Sequence, residues 1–188
     1  TSDATAMTGI FLAGGRHLLA RYNRVDTTGR DCFKVGGSSL LVEKNVGNYA
    51  DFVLDDQGVL YTYQDGTDTA ASPPFADTAR IFQNNKFTNG VGNPFGANST
   101  QYLSQGIYLD GRSKNIKVWN NFVQNAPLRG IHTNNGGNID IDGNLLVNIG
   151  YAISMRKWPW GKLENIHVAN NIVINPPGKY SFRYANDT

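Results

Sequence analysis

The sequence predicts an all-β solenoid of about six to seven stacked coils, and three observations predict it. Apolar-alternating stretches ending in asparagine recur six times, a second series of strand-like segments recurs between them, and no stretch carries a helical period. The first series is Leu19–Asn23, Leu41–Asn45, Ile81–Asn85, Ile116–Asn121, Ile139–Asn144 and Ile166–Asn171. Its terminal asparagines fall at 23, 45, 85, 121, 144 and 171, so the steps are 22, 40, 36, 23 and 27. A coil of roughly 20 to 25 residues fits the short steps, and the two long ones hold insertions.

The elements follow in order. The strands of the second series are Gly9–Leu12, Cys32–Val35, Gly58–Tyr63, Gly106–Asp110, Gly130–Asn134 and Tyr151–Arg156, with coil boundaries near residues 8, 31, 53, 106, 130 and 151. Side chains alternate along each strand, so one face points inward and the other outward. Each asparagine stands where the chain must turn. Its short amide bonds nearby backbone, and asparagine tolerates the left-handed conformation of a tight corner. Stacked about 4.8 Å apart, such amides also bond one another up the column, which makes an asparagine ladder. A second asparagine often follows, at Asn48, Asn89, Asn125, Asn148 and Asn175.

One domain over residues 1–188 is expected, with insertions at about 64–79, 90–104 and 157–162, where glycine, proline and polar residues are dense. Loops on a rigid repeat scaffold are common places for binding residues. The chain is 40% hydrophobic and 11% aromatic, ordinary for a globular protein. With 17 basic against 15 acidic residues and no basic cluster, nucleic acid is not an expected partner. No apolar run of about 18 residues and no signal-peptide pattern occur, so no membrane partner is expected either. The single cysteine, Cys32, cannot form an internal disulfide and reads as a small core residue. Neither end carries a capping repeat, so the expectation is a piece of a longer solenoid, or pairing with further coils or another chain at the ends.

The outward positions stack into rows. One row is Tyr61, Tyr108, His132 and Ser154; the next is Tyr63, Asp110, Asn134 and Arg156. The acid pair Asp55-Asp56 stands just before the Tyr61 strand. A solvent-exposed stripe of rings, acids and cations suits an extended, hydroxyl-rich polymer, with rings on sugar faces and polar groups on hydroxyls or carboxylates. His132 is a candidate proton shuttle or hydrogen-bond partner of the substrate. Lys34 and Arg156 are candidate binders of an acidic sugar, and Trp158 and Trp160 of a sugar face. Each has a plainer reading: exposed turn acids, one outward cation per coil, and tryptophans packed within their own loop.

Asp56-Gln57-Gly58-Val59-Leu60-Tyr61-Thr62 resembles an Asp-Gly-Gly-x-Ile-Tyr-Thr motif. Gly106-Ile107-Tyr108-Leu109-Asp110 and Asn115-Ile116-Lys117-Val118-Trp119-Asn120-Asn121 resemble Gly-Ile-Tyr-Leu-Asp and Asn-Ile-x-Val-x-x-Asn motifs. These belong to secreted bacterial right-handed parallel β-helix proteins that act on carbohydrates, and the resemblance is nearest to glycoside hydrolase family 141. It implies a right-handed parallel β-helix, a secreted, periplasmic or cell-surface location, a polysaccharide or oligosaccharide partner, and catalytic acids at Asp56 and Asp110. The chain departs from the motifs at Gln57, where a glycine is expected, and at Gly111, where a second acid often stands. No cofactor is expected, although calcium at Asp55-Asp56 fits hard oxygen ligands. The leading reading is a glycoside hydrolase. The alternatives are a non-catalytic β-helix adhesin or carbohydrate-binding segment, and a polysaccharide lyase in which Lys34, His132 or Arg156 supplies the base or neutralises a uronate.

Overall fold

The chain is a right-handed parallel β-helix. The computed structural model describes residues 7–12, 14–64, 79–95 and 102–186. Three parallel sheets run the length of the solenoid, with seven strands in the first and six in each of the others. The first sheet stacks the strands Ile10–Leu12, Phe33–Val35, Gln57–Gln64, Ser104–Gly111, Arg129–Asn134, Tyr151–Lys157 and Tyr180–Asn186. The second stacks the apolar-alternating stretches that lead into the asparagines, from Leu19–Arg21 to Leu163–Ala169. The third begins just past each asparagine, in strands such as Phe122–Gln124 and Leu145–Val147. Two strand series were expected per coil and there are three. The third was hard to read because four of its six strands are only three residues long, too few to display an alternation of period two. The insertion expected at about 64–79 lies mostly outside the described residues, as does the 96–101 part of that expected at about 90–104, and that at 157–162 is a turn following Tyr151–Lys157.

Register places like residues in columns. Leu60 pairs with Ile107, Ile107 with Ile131, Ile131 with Ile153, and Ile153 with Phe182. From the second sheet Val42, Phe82, Val118 and Ile141 point into the same interior, and from the third Phe87, Val123 and Leu146; all are fully buried. Each such side chain contributes roughly 1.5–3 kcal/mol by leaving water. Gly106 is required by this packing, since an added Cβ would lie 2.8 Å from the Gly130 carbonyl oxygen and overlap Val123. In the last coil Val168 and Phe182 hold the register of Ile141 and Ile153 but are 36% and 53% exposed.

The ladder forms as spaced. The backbone N–H and Nδ2 of Asn23 both donate to Asn45 Oδ1, at 3.0 and 2.9 Å. The same pair of bonds runs from Asn45 to Asn85, Asn85 to Asn121, Asn121 to Asn144 and Asn144 to Asn171. A second ladder climbs through Asn48, Asn89, Asn125 and Asn148. The left-handed corner, however, belongs to the residue before each asparagine of the first ladder: Tyr22, Lys44, Asn84, Asn120, Gly143 and Asn170, with φ between 53° and 65°. That residue makes the turn, and the asparagine after it directs its amide inward to satisfy backbone. In the second ladder, by contrast, Asn89, Asn125 and Asn148 themselves take positive φ, at 56° to 57°.

Near the first coils the interior takes in acids. Asp31 is fully buried beside the Arg30 Nε, 3.7 Å from its Oδ2. Loss of hydration raises its carboxyl to about 6, while Arg30 and Lys34 pull the other way. An acid whose pKa rises on folding holds its proton more tightly in the folded chain. Its contribution to stability is therefore complete below the unfolded pKa of about 4 and is lost as pH climbs through about 6. Between about pH 4 and pH 7 the parent should lose roughly 3 kcal/mol more stability than Asp31→Asn, read from urea unfolding of both proteins at each pH. Parallel losses in the two would contradict this.

Candidate functional site

The outward rows assemble on the first sheet. Tyr61 pairs with Tyr108, Tyr108 with His132, His132 with Ser154 and Ser154 with Arg183; beside them Tyr63 pairs with Asp110 and Asn134 with Arg156. The first row is not the open stripe that the sequence suggested. Tyr61, Tyr108, His132 and Ser154 are 6%, 4%, 2% and 2% exposed. Their rings pack on one another, with Tyr61 edge-on to Tyr108 at 5.5 Å and Tyr108 stacked on His132 at 5.1 Å. What remains accessible is the rim: Asp56, Tyr63, Asp110, Asn134, Arg156 and Lys34.

Asp110 is held from three directions. Tyr61 donates its hydroxyl to Oδ2 at 2.9 Å, while Asn134 Nδ2 and the Gly111 backbone N–H donate to Oδ1 at 2.8 and 2.7 Å. Burial, with the charge of Asp110 next, pushes the phenols of Tyr61 and Tyr108 well above the ordinary tyrosine range, so both keep their protons. Gly111 thus serves Asp110 through its backbone. Asp56 sits at a left-handed corner, φ 61°, at the head of the same strand as Tyr61. Although the residue keeps an open face to solvent, the protein around its carboxyl strips water from it and raises it to about 6. The neighbouring charge of Asp110 adds to the rise and Arg129 opposes it. Two acids 54 positions apart in sequence (110 − 56) are thereby within electrostatic reach.

Asp55 has a different task. It is buried, its Oδ1 accepts the Asp56 N–H at 3.0 Å, and its Oδ2 accepts the Leu103 N–H at 2.7 Å. It ties the approach to one strand to the approach to its neighbour. Each Asp55 oxygen thus accepts one backbone N–H. No group of three or more histidine, cysteine or acidic side chains that could hold a metal occurs among the described residues.

His132 is fully enclosed, and its Nδ1 lies 3.0 Å from the Ser154 carbonyl oxygen. A carbonyl only accepts, so Nδ1 carries the hydrogen. Burial, then the positive charge of Arg129, holds the ring well below the usual histidine range and keeps it neutral. This suits packing rather than proton shuttling. Lys34 spans the Phe11 and Tyr61 rings, 5.6 and 5.7 Å from their centroids. Arg156 lies 3.7 Å over the Trp158 ring, whose backbone N–H is bound to Asn135 Oδ1. Trp160 is half exposed and lies beside Arg112, in a cleft of about 410 Å³ that Lys114, Lys162 and Glu164 also line. The two tryptophans therefore face different surroundings.

Sequence reasoning passed over Arg129. It opens the strand Arg129–Asn134, opposite Gln105 and Tyr151 in register, and is 9% exposed. Its Nε is buried with no hydrogen-bond partner, as is Gln105 Oε1. The signal was available. Arg129 stands immediately before Gly130-Ile131, as Gln105 stands before Gly106-Ile107.

Fold and site together define a parallel β-helix protein with a pair of interacting acids on the outer face of its first sheet. No protein-family model, curated protein or solved structure matches the chain.

Proposed function

We propose that the chain is a polysaccharide-active enzyme of the extracellular or periplasmic space, a glycoside hydrolase, as its resemblance to glycoside hydrolase family 141 implies. The observation that carries the reading is the unequal pair: Asp56 retains its proton to about pH 6 beside an Asp110 whose carboxylate is fixed by three donors. Paired carboxyls in unlike environments are what glycoside cleavage requires. Asp56 is the acid. Its proton passes to the glycosidic oxygen as the C1–O bond breaks. Asp110 either attacks C1 or removes a proton from the water that does, and water's oxygen ends on C1 in either course. Tyr63, Asn134 and Arg156 border the acids and are the groups placed to hold sugar hydroxyls.

The test is cleavage of a panel of polysaccharides as a function of pH. Because the acid must be protonated, activity is expected to fall as pH rises through about 6. Asp56→Asn should lose that limb, and it should cleave an aryl glycoside, whose leaving group needs no protonation, far better than a natural linkage. A panel with no cleaved member would overturn the enzymatic reading and leave a binding solenoid. Products with a new double bond would replace hydrolase with lyase.

A further inference from the structure

We infer that the polymer bound on this face is anionic, built of sugars that carry a carboxylate, and that Arg129 is the residue that reads that carboxylate. The inference rests on the glycan reading above and narrows it. A guanidinium nine-tenths buried with an unpartnered Nε is expensive to maintain, because removing a cation from water costs several kcal/mol unless an acceptor replaces the water. The nearby acids do not repay that cost. Asp110 accepts three hydrogen bonds from other donors, and Asp56 has no hydrogen bond to Arg129. A planar guanidinium edge matches the two oxygens of a carboxylate, which makes a uronate the natural acceptor.

The surroundings repeat the preference. Arg183 is in register with Ser154, next in the column to His132, and its guanidinium folds back to 4.8 Å over the ring of Tyr151, the residue opposite Arg129. Arg156 pairs with Asn134 on the neighbouring row. Three arginines thus stand on adjacent strands of one face, and their combined field helps keep His132 uncharged.

The experiment is calorimetric binding of oligomers of galacturonate, glucuronate and mannuronate, each beside its methyl ester, with neutral xylan and cellulose oligomers and a sulfated galactan oligomer. At least one uronate should bind about 10- to 100-fold more tightly than its ester, and Arg129→Gln should erase that margin. Arg183→Gln, at an exposed position, should narrow it without disturbing the fold. The unfolding midpoint of ligand-free Arg129→Gln should not fall below the parent's, since an unpaired buried charge has been removed; this separates a binding role from a structural one. Equal binding of acid and ester, a preference for sulfate over carboxylate, or an unchanged margin in a folded Arg129→Gln would overturn the inference and leave the glycan reading standing. No binding by any oligomer would overturn both.

Discussion

Asp110→Asn is expected to lower kcat/KM on the cleaved glycan by about 10² to 10⁴-fold while leaving the fold and the affinity for substrate nearly unchanged. The size follows from the role. As base or nucleophile the carboxylate acts only as the bond to C1 forms, so its loss falls on kcat rather than on ground-state binding. The fold should survive because the change is nearly isosteric and the partners can adjust. Asparagine keeps an acceptor oxygen for the Gly111 N–H and Asn134 Nδ2, and the Tyr61 hydroxyl, now a donor to Oδ2 at 2.9 Å, can turn to accept from the new amide. Tyr61→Phe should be milder, about 10-fold, since it frees one oxygen of Asp110 without removing the charge. The measurement is steady-state kinetics at pH 5 with a circular-dichroism check on each variant. If Asp110→Asn kept more than a tenth of the parent's kcat/KM, Asp110 would be only a surface acid braced by its neighbours.

The stacking was legible because its cause is local and repeated. An asparagine after an alternating apolar stretch, recurring at coil-length steps, has few uses other than a ladder, and bonds from Asn23 through Asn171 bear this out. Which residue turns the corner was less legible, because Tyr22 and Lys44 adopt positive φ without being turn formers by type. Register supplied that conformation, not propensity. At the site, alternation identified Asp110, Asn134 and Arg156 as outward, and the structure places them together. It could not tell outward from exposed, which is why the tyrosine row and His132 read as an open platform and are enclosed. Asp55 and Asp56 are adjacent and chemically alike. Only the backbone donors Asp56 and Leu103, the latter 48 positions away, set Asp55, with both oxygens bound to backbone, apart from Asp56. Arg129 was missed because a residue before glycine at a strand start resembles a turn cation, although its repeat position matches that of Gln105.

The ladder carries the largest stability effect. Asn85 stands in its middle, 2% exposed. Its Oδ1 accepts the Asn45 N–H and Nδ2, both at 3.0 Å, and its Nδ2 donates to the Val42 carbonyl at 2.9 Å and Asn121 Oδ1 at 3.0 Å. Truncation to alanine would strand the Asn45 N–H and the Val42 oxygen in the interior, with half of the Asn45 amide. Each buried orphan costs about 1–3 kcal/mol, so Asn85→Ala should destabilise by about 3–5 kcal/mol. Asn23 tests the cause. At the other end of the column it only donates, to Asn45 Oδ1 and the Arg21 carbonyl, and it is partly exposed, so water can replace what its removal takes away. Asn23→Ala should therefore cost about 1 kcal/mol or less. Position matters in a second way: a solenoid is stabilised by contacts between neighbouring coils, and Asn85 is bonded to both Asn45 and Asn121, so a break there weakens coils on both sides. Urea unfolding should show a lower midpoint for Asn85→Ala, with a broader transition as the two halves begin to melt separately. Equal destabilisation by the two substitutions would mean that the amide column follows the stacking of the strands and does not enforce it.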